Sequence, residues 1–311
     1  MSARAPGPTS LIRRPQRPPA ARAQHQQEVA ADERRNAKCK RRVLFALCIL
    51  NDVQKLTVTI ITLNEASHIA AAIDSASFAD ELLVVDSGST DATTDIARGK
   101  GARVLTRAWT GYVDQKNFAA EQASHDWIFS LDADERIPQA LAGEITRVLA
   151  GDPPYHGYRV PRVTFHLGRW IRTTDFYPDY QTRLYDRRFA RWRGRYVHES
   201  VNVDGASGQL KHELEHYSFS DLRDQIARIN HYSTLSAKQM YEAGRRTGPV
   251  EILIHPPAAF LRNYILRRGF LDGTAGLTIS LMNAWSVGLK FMKLWELQEN
   301  PKSQNPKPKS Q

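Results

Sequence analysis

Three acidic side chains close a short apolar run at Trp127-Ile128-Phe129-Ser130-Leu131-Asp132-Ala133-Asp134-Glu135. The run has the length and composition of a buried strand. On an extended backbone, residues two apart point to the same side. Asp132 and Asp134 are therefore expected to address one object beyond the strand's carboxyl end, with Glu135 turned to the other face. Open α/β sheets bind ligands at that edge. Two converging carboxylates there suit a hard divalent cation, which in turn can hold a diphosphate. An Asp-x-Asp after a strand is equally a solvated turn, so the assignment depends on what else arrives at the same edge.

Two other strand ends do. The first closes in Thr62-Leu63-Asn64-Glu65, and the second in Asp86-Ser87-Gly88-Ser89-Thr90-Asp91, a glycine-containing loop that enters a helix. Such a loop offers backbone N–H groups and a helix N-terminus to an anion, while Asp86 could accept a hydrogen bond from a base edge. Thr90 or Asp91 also reads as a helix N-cap.

The elements that position these ends alternate. Strands are expected at Leu56–Leu63, Leu82–Val85, Arg103–Leu105 and Trp127–Leu131, and helices at Glu65–Ser77, Thr90–Gly99, Gly111–Ala123 and Pro138–Leu149. This pattern implies βαβ units and a mostly parallel central sheet with helices on both faces, an α/β fold. After Gly151-Asp152-Pro153-Pro154, strands are expected at Gly157–Val163, Tyr180–Tyr185, Arg195–Val203 and Gln209–His216, then helix from Leu222 to Ala243.

The three strand-end blocks in this order resemble the family 2 glycosyltransferases of the GT-A fold. Those blocks are Val58–Glu65, Val84–Asp91 and Asp126–Glu135. Within the family, the chain is most similar to lipopolysaccharide inner-core β-1,4-glucosyltransferases, which add glucose to heptose. That narrower likeness is carried by Gln115-Lys116-Asn117, Gln181-Thr182-Arg183-Leu184, Val197-His198-Glu199 and His216-Tyr217-Ser218. The resemblance implies that Thr62, Asn64, Glu65 and Asp86 line a nucleoside pocket, with Asp86 facing uracil. It implies that Lys116 lies near the phosphates or the donor sugar, that Asp132 contacts ribose or metal, and that Asp134 ligates Mg²⁺ or Mn²⁺ with His216 completing the site. The acidic pair that usually supplies the base is absent as a literal Glu-Asp. Glu199, in His198-Glu199, takes that role as the nearest candidate, and Arg183 is expected on the acceptor. The implied partners are a nucleotide-sugar, UDP-glucose, and a lipid-linked core oligosaccharide.

Other readings of the acidic motif fit less well. A haloacid dehalogenase phosphatase needs Thr or Val two residues beyond the second Asp, where Arg136 stands, and its motif on the first strand. A sugar nucleotidyltransferase needs an arginine-bearing glycine loop after strand one, where this chain has Leu63-Asn64-Glu65. A transferase acting on another cell-surface polysaccharide or glycolipid, and a membrane-bound scaffold that kept the fold without the chemistry, remain open.

Charge is uneven. Residues 1–50 hold eleven Lys and Arg against three acids, so +8 of the net +10 sits there. A nucleic-acid-binding body is excluded by the remainder. Residues 1–54 read as a disordered basic leader, and both cysteines, Cys39 and Cys48, fall within it. Val43–Leu50 is too short to span a bilayer, and no cleavable signal is evident. Residues 55–220 read as the GT-A domain, with a nucleotide-sugar half at 55–150 and an acceptor half at 151–220. Residues 221–297 read as a helical region and 298–311 as a disordered tail. Gly269–Leu289 carries one charge, Asp272, between Arg262, Arg267 and Arg268 on one side and Lys290 and Lys293 on the other. It is expected to lie at the cytoplasmic face of an inner membrane as an interfacial or re-entrant helix anchored by Trp285 and Trp295. A helix pair packed on the protein's own core is the alternative.

Overall fold

The computed structural model describes residues 53–194 and 199–300. The leader with Cys39, Cys48 and Val43–Leu50, the tail from 301, and His198 lie outside the described residues. Residues from Gln54 onward form one compact unit.

Short apolar runs, buried on both faces, build the first half. Strands β1 (Leu56–Thr62), β2 (Glu81–Asp86), β3 (Arg103–Thr106) and β4 (Trp127–Asp132) pair in the parallel order β3-β2-β1-β4. On one face Val58, Ile60, Val84, Phe129 and Leu131 meet three helices, α1 (Ile69–Ser75), α2 (Thr93–Gly99) and the later α4 (Gln139–Leu149). On the other, Leu83, Val85 and Ile128 meet Ala119, Ala120 and Ala123 at the end of α3 (Tyr112–Gln122). The period-2 alternation therefore feeds two cores at once.

The sheet continues with mixed strands. β4 pairs antiparallel with β8 (Asp179–Asp186), and β8 antiparallel with β6 (Gly157–His166). β6 pairs with β12 (Leu214–His216), which pairs with the two-residue β5 (Glu135–Arg136). β7 (Arg169–Ile171) and β11 (Gly208–Gln209) also hang on β6. A separate antiparallel pair, β9 (Ala190–Arg193) and β10 (Ser200–Val203), packs Trp192 and Val201 onto the α3 face.

Several expectations are corrected. The strand read over Gln209–His216 is two short strands, broken because Glu144 on α4 takes the backbone N–H groups of Lys211 and His212. Glu135 does not continue β4. The chain turns at Ala133–Asp134 and re-enters the sheet as β5. Helix α1 begins four residues later than read, at Ile69, after turns at Ala66–His68.

The C-terminal segment is helical. α5 (Leu222–Glu242) and α6 (Pro249–Leu261) pack against α7 (Gly273–Glu299), with a π-helical turn at Arg262–Leu266 and a 3₁₀ turn at Gly269–Asp272 between α6 and α7. Among the described residues, no helix is long and apolar enough to cross a membrane. Two carboxylates fasten this part to the sheet. Asp272 accepts from Thr173 Oγ1 at 2.6 Å and from Arg172 N at 3.2 Å. Asp175 pairs with Arg262 and Arg267 at 2.8 and 3.1 Å.

Two glycines of this segment, Gly269 and Gly276, serve close packing. A β-carbon on Gly276 would run into the carbonyl of Gly269. Ala is the better helix former by roughly 1 kcal/mol, so Gly276→Ala should stabilise if space were free. We expect the opposite, a loss of about 1–3 kcal/mol from overpacking, read by urea denaturation. A gain would show that α7 is not seated as described.

Candidate active site

The loops after β1 and β2 are laced together by side chains. Asn64, in the left-handed region at φ 56°, accepts from Thr90 N through Oδ1 at 2.8 Å. Its own N–H donates to Ser89 Oγ at 2.8 Å, and Glu65 N donates to Thr93 Oγ1 at 2.8 Å. Asp86 is almost fully buried, and its Oδ2 accepts from Gly88 N and Ser89 N, both at 2.9 Å. That carboxylate is thus engaged with its own turn, instead of standing open to a base edge as expected. Asp91 accepts from Thr93 N at 3.0 Å, but the N-cap position is Ala92, one residue later than read, and it has no side-chain cap. With a carboxylate there and only seven residues in α2, this helix end is not the anion site expected from the loop.

At the end of β4 the acidic triplet divides by turning. Asp132 pairs with Lys116 Nζ at 3.0 Å and Arg183 Nη2 at 2.6 Å. Glu135 is 0% exposed, is held by Arg183 at 2.5 Å and Arg162 at 3.1 Å, and accepts from Asp132 N at 3.0 Å. Arg162 also pairs with Asp179 at 2.5 Å. Burial alone would raise the Asp132 carboxyl, but the charges of Arg183 and Lys116 outweigh it and hold the group well below the usual carboxylate range. Arg183, expected on the acceptor, is 2% exposed and locked between Asp132 and Glu135, so it organises carboxylates. Lys116 also lies over the Trp192 ring at 4.3 Å.

Asp134 stands apart from that cluster. Its Oδ2 is 3.4 Å from His216 Nε2, brought there by the β12–β5 pairing. Burial would raise its pKa, but the hydrogen bond and charge of His216 keep it lowered. No group of three or more His, Cys, Asp or Glu side chains forms a cation cage among the described residues. Asp134 with His216 offers one oxygen and one nitrogen donor, which fits Mg²⁺ or Mn²⁺ whose other positions go to substrate phosphate and water.

Thr62, Glu65, Lys116, Asp132, Asp134, Glu199 and His216 line one cavity of about 970 Å³. Thr62 Oγ1 is buried there without a hydrogen-bond partner. Sequence reading missed the opposite walls: Trp109 and Tyr112 at the start of α3, Arg228 and Tyr232 on α5, and Ile279 to Ser286 on α7. The signal for α5 was the spacing of Arg228 and Tyr232, which puts both on one helix face. It also missed the structural duty of Arg162 and Glu135.

The chain belongs to the family described as glycosyl transferase family 2, whose pattern matches residues 57–218. It is 34% identical over 273 residues to an uncharacterized glycosyltransferase of Rickettsia bellii, covering 83% of this chain and 92% of that protein. It is 32% identical over 252 residues to the lipopolysaccharide core biosynthesis glycosyltransferase LpsC of Rhizobium meliloti, covering 78% and 92%. Among solved structures, it is similar to a mannosyltransferase of Pyrobaculum calidifontis in complex with GDP-mannose and Mn²⁺. There the identity is 16% and the TM-score 0.45, with 80% of this chain and 88% of that chain covered. The protein is an enzyme, a glycosyltransferase with the α/β, GT-A type of architecture.

The buried ion cluster makes a stability prediction. Arg183→Leu would strand Glu135 in the interior with one cation fewer. Removing one partner of a buried pair costs about 3–5 kcal/mol, so the urea midpoint should fall sharply. A variant as stable as the parent would mean that Arg162 alone neutralises Glu135.

Proposed function

We propose that the enzyme transfers glucose from UDP-glucose to a heptose of a lipopolysaccharide inner core, with inversion at the anomeric carbon. The observation that carries this reading is the cavity itself, where the Asp134–His216 pair, Lys116 and Glu199 share one wall system. The acceptor class is supported by the likeness to LpsC and by the motifs around Lys116, Arg183, Glu199 and His216.

In this reading Thr62, Asn64 and Glu65 hold the nucleoside, Thr62 through its unpartnered hydroxyl, while Asp86 fixes the Gly88–Ser89 turn beside them. Lys116 faces the diphosphate and Asp132 the ribose. Asp134 and His216 would hold Mg²⁺ or Mn²⁺, which when bound supplies Lewis acidity against the charge of the departing diphosphate. Glu199 accepts the proton of the acceptor hydroxyl as that oxygen attacks the anomeric carbon, and the bond to the nucleoside diphosphate breaks. Glu135 is fully buried between two arginines, which leaves Glu199 as the accessible carboxylate for that step.

We also propose that the enzyme works at the cytoplasmic face of an inner membrane, where a lipid-linked acceptor is presented. The support is a set of exposed apolar side chains on α6 and at the bend between α6 and α7. Leu253 is 76% exposed, Leu266 77% and Leu271 60%, with Arg267 and Arg268 beside them. Apolar side chains flanked by cations match an anionic lipid surface.

Glu199→Gln should keep donor affinity while transfer falls by roughly 10²–10⁴-fold, measured as glucose incorporated into core acceptor. Asp134→Asn should lose most transfer and change its metal dependence. Normal turnover in the Glu199 variant would remove the base assignment.

For the membrane reading, Leu266→Glu with Leu271→Glu should lose binding to phosphatidylglycerol vesicles and retain turnover on a deacylated, soluble acceptor. High salt should release only part of the parent protein, because screening weakens charge attraction and spares apolar insertion. Undiminished vesicle binding by the double variant would sink it.

A further inference from the structure

The wall facing the metal-ligand candidates carries a cation that nothing above employs. Arg228 and Tyr232 lie one turn apart on α5 and line the same cavity as Asp132 and Asp134. Arg228 Nε donates to Asp224 Oδ1 at 3.0 Å, and the guanidinium sits over the Phe219 ring at 5.6 Å. Its two Nη groups have no hydrogen-bond partner among the described residues.

The other cations of the cavity are already neutralised. Lys116 is paired with Asp132, and Arg162 with Glu135 and Asp179. Arg228 is joined to Asp224 by a single contact with its side chain 43% exposed, so its open edge stays available to a ligand. Burial opposes its charge, but the hydrogen bond and charge of Asp224, with the charge of Asp134, raise the guanidinium pKa above its ordinary value. A planar fork of donors at a site handling phosphorylated molecules matches phosphate oxygens bidentately.

We propose that Arg228, with the Tyr232 hydroxyl as a further donor, forms a phosphate-binding subsite contributed by α5. This rests on the nucleotide-sugar reading and deepens it. The phosphate comes either from the nucleoside diphosphate of the donor or from a phosphorylated sugar of the acceptor. In both cases the C-terminal helices complete the site, beyond buttressing it.

The test uses the full-length enzyme and Arg228→Gln, Arg228→Lys and Tyr232→Phe. Three quantities are read: affinity for inorganic pyrophosphate with Mg²⁺, affinity for UDP with Mn²⁺, and KM for core acceptor before and after phosphatase treatment. Arg228→Gln should weaken at least one phosphate ligand by about tenfold or more, with the thermal midpoint little changed. Arg228→Lys should recover part of the loss, and Tyr232→Phe should show a smaller loss for the same ligand. Weaker UDP binding assigns the subsite to the donor diphosphate. A raised KM confined to phosphorylated acceptor assigns it to the acceptor. If all three quantities match the parent in Arg228→Gln, the proposal is overturned. Should Arg228→Gln fail to fold, Arg228→Lys and Tyr232→Phe decide by the same readings. If the parent itself does not use UDP-glucose, the donor reading has failed, and pyrophosphate affinity still reads the subsite.

Discussion

The structure depends on neutralising Glu135. A carboxylate with no solvent contact costs several kcal/mol unless cations and hydrogen bonds surround it, and here two arginines do so from different strands. Arg162 comes from β6 and Arg183 from β8, so the antiparallel half of the sheet is pinned to the end of the parallel half. Arg183 reaches on to Asp132, and Asp132 to Lys116 on α3. One chain of charge therefore runs from β6 to α3 beneath the cavity. Its members are held on strands and a helix, which fixes the floor of the site before any ligand arrives.

The turn that frees Asp134 follows from the same cluster. Glu135 accepts from Asp132 N, which bends the backbone back on itself and projects Asp134 toward β12. His216 is positioned by the short β12–β5 pairing instead of by a long loop. Two side chains from segments far apart in sequence thus face one space.

Much of the first half was legible in the sequence. The apolar runs in β2 and β4 are nearly continuous because each strand is buried on both faces, and the strand-end motifs mark the edge where the cavity lies. What local pattern could not give was set by tertiary contacts. β5 is two residues long and exists through its pairing with β12. The break inside Gln209–His216 comes from Glu144, far earlier in the chain. Arg183 carries no mark in sequence that separates a buried organiser from a ligand-facing cation. Nor does local pattern show that Gly276 is set against the Gly269 carbonyl. The alternative of helices packed on the protein's own body holds for α7 against α5 and α6, while their outward apolar side chains keep the lipid-surface reading open to trial.

Because Ile279, Met282, Asn283 and Ser286 belong to the cavity wall, part of its lining is synthesised after every strand of the sheet. A nascent chain acquires the loops after β1, β2 and β4 early, yet lacks this lining until the first half of α7 has been made. Synthesis order thus withholds an enclosed site from incomplete chains. A cut within that helix would leave the cavity open on the side that Ile279 and Met282 cover, where a bound donor would meet water in place of its acceptor.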